Sequence, residues 1–464
     1  MNSVDPNIFR AYDIRGVDLT EQTAYLIGRG TGTYLIEKYK VRNIAVGRDN
    51  RLSGEMLMEA LVRGLLETGL DVVDIGLSVS PIVYWATCAR DFDAAINITA
   101  SHNPKEYNGF KIVAKNAHSI CGDELQEILK IIEKKDFNIP VHDGDLTSAD
   151  LKTDYLNDIA SRAPSSKKLK LVIDTGNGVT GLFAPKLFKQ LGHEVVELYT
   201  DLDGNFPNHE ANPEELENMK DLISKVKETS SDLGLGFDGD GDRVGVVDEK
   251  GNLYSSDFML LLLVRDLVKQ IKKPKIVFDV KTSQVIINEI KKLGAIPVMS
   301  RVGHSFIERK MKEIGAKLGG EVSGHMFFGH GWYGFDDALL AAAKICQILS
   351  NSQTPLSQAF NDLPKTFTTP EFKAHCPDDK KFAIVKKLVS HFTELYDCLT
   401  IDGVRIKFDD ATWAAVRASN TTPNLTLRFE ADTRQKLADI QSIMVEELKK
   451  HPEVSLDWYR PTLS

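Results

Sequence analysis

The sequence predicts an α/β protein: three similar mixed α/β domains in series, followed by a C-terminal α+β domain. Two observations carry this. Short apolar strands alternate with helical patterns, as in βαβ units. The same larger unit then recurs. "NIAVGRD" (43–49), "KLVIDTGNG" (170–178) and "KIVFDVKTS" (275–283) each run from a polar or basic start through an apolar strand to an aspartate. Each leads into a helical pattern, "GEMLMEALVRGLLETG", "FAPKLFKQLG" and "SQVIINEIKKLG", and then a strand, "DVVDIG", "EVVELY" and "AIPVMS". A repeat on the order of a hundred residues is too long for a solenoid. Any α/β protein alternates strand and helix; recurrence of the whole unit is what points to triplication.

The pattern changes after about residue 365. "FAIVKKLVSHFTELY" is an amphipathic helix, "VRIKFDDATWAAVRAS" and "NLTLRFEAD" read as antiparallel strands, and "RQKLADIQSIMVEELKK" is a second helix. The expected domains are 1–147, 148–250, 251–364 and 365–464. The polar stretches "DGDLTSAD", "DEKGNLYS" and "SNSQTPLSQ" read as linkers, where turns are favoured.

Composition narrows the function classes. The 464 residues are 42% hydrophobic and 27% charged, as in globular enzymes, and the net charge is -9. That balance does not favour nucleic acid or an anionic membrane surface as partner. An anionic substrate would need local Arg and Lys clusters. The cysteines Cys88, Cys121, Cys346, Cys376 and Cys398 form no CxxC pair, so a disulfide framework and a structural zinc site are disfavoured and a reducing cytoplasm is expected. The first residues lack an apolar signal core. No run approaches about 18 apolar residues, so no membrane span is expected; "FMLLLLVRDLV" reads as a buried helix.

Four constellations carry chemistry. "TASHNPKEYNGFKI" places Ser101 just after the apolar run "FDAAINI", with Asn103-Pro104 and Asn108-Gly109 read as tight turns and Lys111 close behind. Ser, Asn and Pro suit a plain turn. They equally suit a serine held at a strand end, which needs a base to act as nucleophile, or cations if it is phosphorylated. In "GFDGDGDRVGVVDEKG", Asp238, Asp240 and Asp242 alternate with glycine. Three carboxylates on a tight loop are hard oxygen ligands suited to Mg²⁺ or Ca²⁺. An EF-hand competes, since Glu249 falls at the twelfth position, but Arg243 stands where its glycine is required and both flanks read as strands.

"GGEVSGHMFF" alternates Glu321, Ser323 and His325, which share one face if the segment is extended. Acceptor, hydroxyl and imidazole together suit sugar hydroxyls; a polar strand end is the plainer alternative. Upstream stand Lys281 in "DVKTS" and His304 in "RVGHSF". In "RASNTTPNLTLRFE", Arg417, Ser419, Asn420 and Thr421 precede Pro423. An arginine fork with hydroxyl and amide donors can cradle phosphate; a polar hairpin turn is the alternative.

Together these residues resemble the α-D-phosphohexomutase superfamily, from "FRAYDIRG" to "RASNTTPNLTLRFE". "TASHNP", "DGDGDR", "GEVSGH" and "RASNTTP" stand in that family's order and approximate spacing. "GEVSGH" is similar to the GEMSGH of its bacterial phosphomannomutase/phosphoglucomutase branch, with Val322 in place of methionine. The resemblance implies four domains around a central cleft, the last TATA-binding-protein-like. It implies that Ser101 carries a phosphoryl group and passes it to O1 or O6 of a hexose monophosphate through a hexose 1,6-bisphosphate. It makes Asp238, Asp240, Asp242 and the Ser101 phosphate the Mg²⁺ ligands. Arg15, Lys111 and Arg243 become cations beside the phosphoserine, and His325 a general-base candidate. Tyr12, Lys281, His304, Glu321, Ser323, His325, Arg417, Ser419, Asn420 and Thr421 become substrate contacts. Hexose phosphates are then the partners, with glucose 1,6-bisphosphate as activator, and a cytoplasmic monomer is expected. A phosphoglucosamine mutase and an inactive sugar-phosphate binding protein are the alternatives.

Overall fold

The computed structural model describes residues 4–419 and 422–459. The chain divides into two compact units, residues 1–266 with 317–359 and residues 267–316 with 360–464.

The first unit holds two whole sheets and the antiparallel strand pair Leu318–Gly320 and Met326–Phe328. The larger runs Ile14–Val17, Tyr107–Ala114, Ala94–Ile98, Asn43–Arg48, Asp71–Leu77, Leu146–Ser148, with His118–Ser119 beside Tyr107–Ala114. Ala94–Ile98 is buried at every residue, as expected of a central strand covered on both faces. It pairs parallel with Asn43–Arg48 and antiparallel with Tyr107–Ala114. Helix Asp123–Lys134 presents Leu125, Ile128, Leu129 and Ile132 to the core, a 3.6-residue stripe. The second sheet runs Leu253–Tyr254, Val244–Asp248, Leu233–Phe237, Lys170–Asp174, Glu194–Leu198. Its antiparallel pair Leu233–Phe237 and Val244–Asp248 brackets the three-aspartate loop. Strand flanks on both sides exclude the EF-hand. The apolar segment near residue 260 is helix Ser256–Leu267, with Met259 to Val264 buried.

In the second unit, Lys275–Asp279 and Ile296–Ser300 pair in parallel, with helices Gln284–Lys292 and His304–Ile314. Its six-stranded antiparallel sheet centres on Trp413–Ala418 and Asn424–Ala431, with helices Asp378–Leu395 and Arg434–Leu448. Thr433 caps the last helix by accepting from the Lys436 amide. No described helix is long and apolar enough to cross a membrane.

Several local expectations are corrected. "DGDLTSAD" contains an edge strand, Leu146–Ser148, paired parallel with Val72 to Asp74. "DEKGNLYS" contains Leu253–Tyr254, paired antiparallel with Val246 and Val247; "SNSQTPLSQ", by contrast, has the turns expected of it and ends in a 3-10 turn, Leu356–Gln358. Short edge strands join through backbone alone; Leu146, Thr147 and Ser148 are all exposed, so no apolar alternation marks them. Asn108-Gly109 is not a turn but lies inside Tyr107–Ala114, opposite Gly16 and Arg15. Gly109 is required there for close approach: a Cβ would stand 2.3 Å from the Ile14 carbonyl oxygen.

Candidate active site

Ser101 lies three residues past Ala94–Ile98, in left-handed backbone at φ 52°. Two hydrogen bonds hold its backbone: the Ser101 amide donates to Thr99 Oγ1 at 2.9 Å, and Thr99 Oγ1 donates to Asp49 Oδ2 at 2.7 Å. The Ser101 hydroxyl donates to Asp238 Oδ2 at 2.7 Å, joining serine loop and aspartate loop. Their approach needs a glycine: a Cβ on Gly239 would stand 2.5 Å from the Ser101 carbonyl oxygen.

Asp238, Asp240 and Asp242 are each fully buried, with one carboxylate oxygen apiece inside 4.8 Å of the others. Lys111, on Tyr107–Ala114, donates to Asp240 Oδ2 at 2.7 Å and also to Asp242. Ser80 Oγ donates to Asp240 Oδ2 at 2.5 Å. Asp240 Oδ1 and Asp242 Oδ1 are buried without a hydrogen-bond partner among the described residues. Burial with the Asp242 and Asp240 charges pushes Asp238 well above the usual carboxylate range. Burial opposes ionisation of Asp242 too, but the Lys111 and Arg243 charges carry it well below that range. Burial would lower Lys111; Asp240 and Asp242 reverse this and hold it as an ammonium. Crowded carboxylates and two orphaned oxygens fit a hard divalent cation, which supplies the missing charge and takes the unused lone pairs.

The cationic residues gather at the same place. Arg15 Nη1 donates to Asn103 Oδ1 at 2.8 Å, within the serine loop, and pairs with Asp13. Tyr12 is half-buried just ahead of Ile14–Val17. Arg243 Nε donates to His325 Nε2 at 2.8 Å, and Arg243 Nη1 lies 3.6 Å from Glu214. His325 Nδ1 lies 2.6 Å from Asp336 Oδ2.

The alternation of Glu321, Ser323 and His325 is not the alternation of an extended strand, contrary to the sequence reading. Residues 321–325 form a turn between Leu318–Gly320 and Met326–Phe328, in which Gly324 N donates to the Glu321 carbonyl and Glu321 N to the His325 carbonyl. Ser323-Gly324 is a turn signal that outweighs the apparent period of two. All three side chains are buried, and the Ser323 hydroxyl has no hydrogen-bond partner among the described residues.

In the second unit, Lys281 Nζ lies 2.8 Å from Glu371, and Arg417 Nε donates to Asp402 Oδ2 at 2.8 Å. Asp402 also accepts from the Val302 amide at 3.0 Å, tying Arg417 to the turn before His304, the first residue of helix His304–Ile314. Burial would raise Glu371; Lys281, Arg417 and Arg428 hold it below the usual range. Ser419 Oγ accepts from the Thr422 amide at 3.1 Å. Asn420 and Thr421 lie outside the described residues.

Sequence reasoning missed several members. His102 Nδ1 stands 3.1 Å from Ser101 Oγ, and burial with Arg243 and Arg15 keeps its imidazole neutral. Asp336, Asp402 and Glu371 orient their basic partners from far along the chain, with no local signal. Asp49 and Arg51 end the first strand unit, and their charged D-x-R spacing was the available clue.

Repelling carboxylates that need a cation, beside a hydroxyl and fixed positive charges, suit phosphoryl transfer, which depends on positioning and charge stabilisation. The chain matches, in order, Phosphoglucomutase/phosphomannomutase alpha/beta/alpha domain I over residues 6–139, domain II over 153–251, domain III over 255–367, and the C-terminal domain over 371–447. It belongs to the phosphoglucomutase/phosphomannomutase family, and its four domains follow one another in series. It is 43% identical over 448 residues to a phosphomannomutase/phosphoglucomutase of Pseudomonas aeruginosa, covering 96% of each chain. It is 41% identical over 460 residues to a phosphoglucomutase of Neisseria meningitidis, covering 98% of this chain and 99% of that one. The crystal structure of a phosphoglucomutase/phosphomannomutase family protein from Burkholderia thailandensis matches with a TM-score of 0.90 and 39% identity, over 96% of this chain and 98% of that one.

Proposed function

We propose that this chain interconverts the 1- and 6-phosphates of mannose and glucose through phosphoserine 101 and a hexose 1,6-bisphosphate. The observation that carries the reading is the hydrogen bond from Ser101 Oγ to Asp238, within a buried cluster of three carboxylates and Lys111.

Asp238, Asp240, Asp242 and an oxygen of the Ser101 phosphate would hold Mg²⁺, which when bound withdraws charge from the phosphoryl group. Lys111, as an ammonium, donates to the phosphoryl oxygens and to the leaving serine oxygen. Arg15 and Arg243 stabilise charge on the equatorial oxygens. Because Arg243 donates to His325 Nε2, His325 keeps its proton on Nδ1, facing Asp336. A substrate hydroxyl that displaces Arg243 from Nε2 meets a lone pair able to accept its proton.

Glu321 and Ser323 read the 3- and 4-hydroxyls, which mannose and glucose share. Tyr12, Lys281 and His304 contact the substrate, and Arg417, Ser419, Asn420 and Thr421 cradle whichever phosphate is not reacting. Glucose 1,6-bisphosphate recharges a dephosphorylated Ser101. The net charge of -9 supports a chain without nucleic-acid or membrane partners, acting as a monomer, and the free cysteines suit a reducing cytoplasm. The names of the relatives do not favour the phosphoglucosamine or inactive-binder alternatives.

Side-by-side assays of mannose, glucose and glucosamine 1-phosphates with Mg²⁺ and glucose 1,6-bisphosphate test the reading. Mannose and glucose should turn over with kcat/KM of the same order, and glucosamine far more slowly. Turnover of glucosamine alone, or of none, would overturn it.

A further inference from the structure

We infer that Arg51 is the positioning residue of the phosphoryl-carrying serine, a guanidinium that clamps the backbone around Ser101 with four of its five N–H donors; this rests on the reading of Ser101 as carrier. Arg51 Nη2 donates to the Ser101 carbonyl at 2.8 Å and the Asn103 carbonyl at 2.7 Å. Nη1 donates to the Pro104 carbonyl at 2.7 Å and the Tyr107 carbonyl at 3.0 Å. Nε donates to Asp49 Oδ2 at 3.1 Å. Arginine has five such donors in a rigid planar fork, and all five are used. The side chain is 1% exposed, and its carbon Cζ lies 5.2 Å from the Phe206 ring centre.

The pattern is that of a device for shape. A loop with Ser101 in left-handed backbone and a turn at Asn103 points several carbonyls toward Arg51, of which the Pro104 carbonyl also accepts from the Tyr107 amide. One guanidinium satisfies four of them at once and so fixes their mutual positions. Asp49 balances its charge and, through Thr99 Oγ1, also fixes the Ser101 amide. None of these contacts reaches the Ser101 hydroxyl, which meets Asp238 and His102 instead. Arg51 therefore acts on the aim of Oγ, not on its chemistry. In-line transfer is sensitive to aim: displacement of a reacting group by about 1 Å can cost on the order of 10²-fold in rate.

The test is Arg51→Lys beside wild type, with phosphate mapping, steady-state kinetics and urea unfolding on both. Lysine keeps the charge but offers donors from a single point, so it cannot span the five acceptors. Expected is kcat per folded molecule lower on the order of 10²-fold, with KM for sugar phosphate within about twofold. In Arg51→Ala, added methylguanidinium should restore part of kcat through the cavity of about 240 Å³ lined by Arg51, Ser101, Asn103 and Phe206. If the Arg51 variants fail to fold, Thr99→Val decides. It removes only the hydroxyl between Asp49 and the Ser101 amide, and should lower kcat about tenfold at unchanged KM. Wild-type kcat per folded Arg51→Lys molecule, or in folded Thr99→Val, would overturn the inference. So would a raised KM at unchanged kcat. Wild-type protein that turns over with no phosphate on Ser101 would remove the carrier reading and the inference with it. Phosphorylated wild type beside a fully active Arg51→Lys removes the inference alone.

Discussion

Arg243 Nε donates to His325 Nε2 at 2.8 Å, so the imidazole is neutral and its lone pair is already aimed at a donor. Burial lowers the His325 pKa and Arg243 lowers it further, against the opposing pull of Asp242. The acid limb of kcat/KM should therefore lie below the ordinary histidine range. Arg243→Ala should lower kcat on the order of 10²-fold, as loss of one preorganised donor does. It should also move the acid limb upward, because the cation that disfavours imidazolium is gone. A pH–rate series on both proteins checks this; an unmoved limb in Arg243→Ala would detach His325 from the rate.

Asp238 makes the metal-free protein pH-sensitive. Its folded pKa is raised by burial and by the Asp242 and Asp240 charges. A carboxyl raised on folding costs stability as pH climbs from its ordinary range through its folded value. In chelator, Asp238→Asn should therefore be more stable than wild type near pH 8 and gain less on acidification. With Mg²⁺ the order should reverse, since the variant loses an anionic ligand. Thermal unfolding with and without Mg²⁺ reads both signs. Chelation should also abolish turnover, and Mg²⁺ should restore it.

Ser323 carries a buried hydroxyl without a hydrogen-bond partner among the described residues, two positions from the buried Glu321. A buried hydroxyl of this kind calls for a partner, and the proposed function supplies one in a sugar hydroxyl. Glu321→Ala should lower kcat/KM for mannose and glucose 1-phosphates by similar factors, about tenfold or more for the loss of a charged hydrogen bond. Loss confined to one sugar would contradict a site that reads only the shared hydroxyls.

Arg417 is held by Asp402 and is 6% exposed, so its fork is preset before any phosphate arrives. A charge-assisted bond is worth roughly 1.5–3 kcal/mol. Arg417→Ala should raise KM for 1-phosphates and 6-phosphates alike, by about tenfold to a hundredfold. It should also increase the requirement for added glucose 1,6-bisphosphate, because the intermediate escapes more often. Unchanged KM with unchanged activator dependence would reduce the loop to a surface turn.

The strands of the repeated unit were legible because each is a dense apolar run with a polar start and an aspartate at its end. The aspartate loop was legible for a related reason: its three ligand candidates sit within five residues. What stayed hidden depends on long-range contact. Arg51 meets the carbonyl of Ser101, and Arg243 meets His325, only after folding. Gly109 looked like a turn residue because sequence cannot tell a glycine that bends the chain from one that admits a neighbouring strand. Leu146–Ser148 looked like a linker because an edge strand needs only backbone pairing.

The most direct measurement is the mass and position of phosphate on active enzyme. Protein isolated with Mg²⁺ and glucose 1,6-bisphosphate should carry one phosphoryl group, mapped to Ser101. It should lose that group on mixing with glucose 6-phosphate as the bisphosphate appears. Ser101→Ala should carry none, retain sugar-phosphate binding, and show no normal turnover. Active wild-type enzyme whose phosphate maps to another side chain, or which turns over with none, would contradict the account.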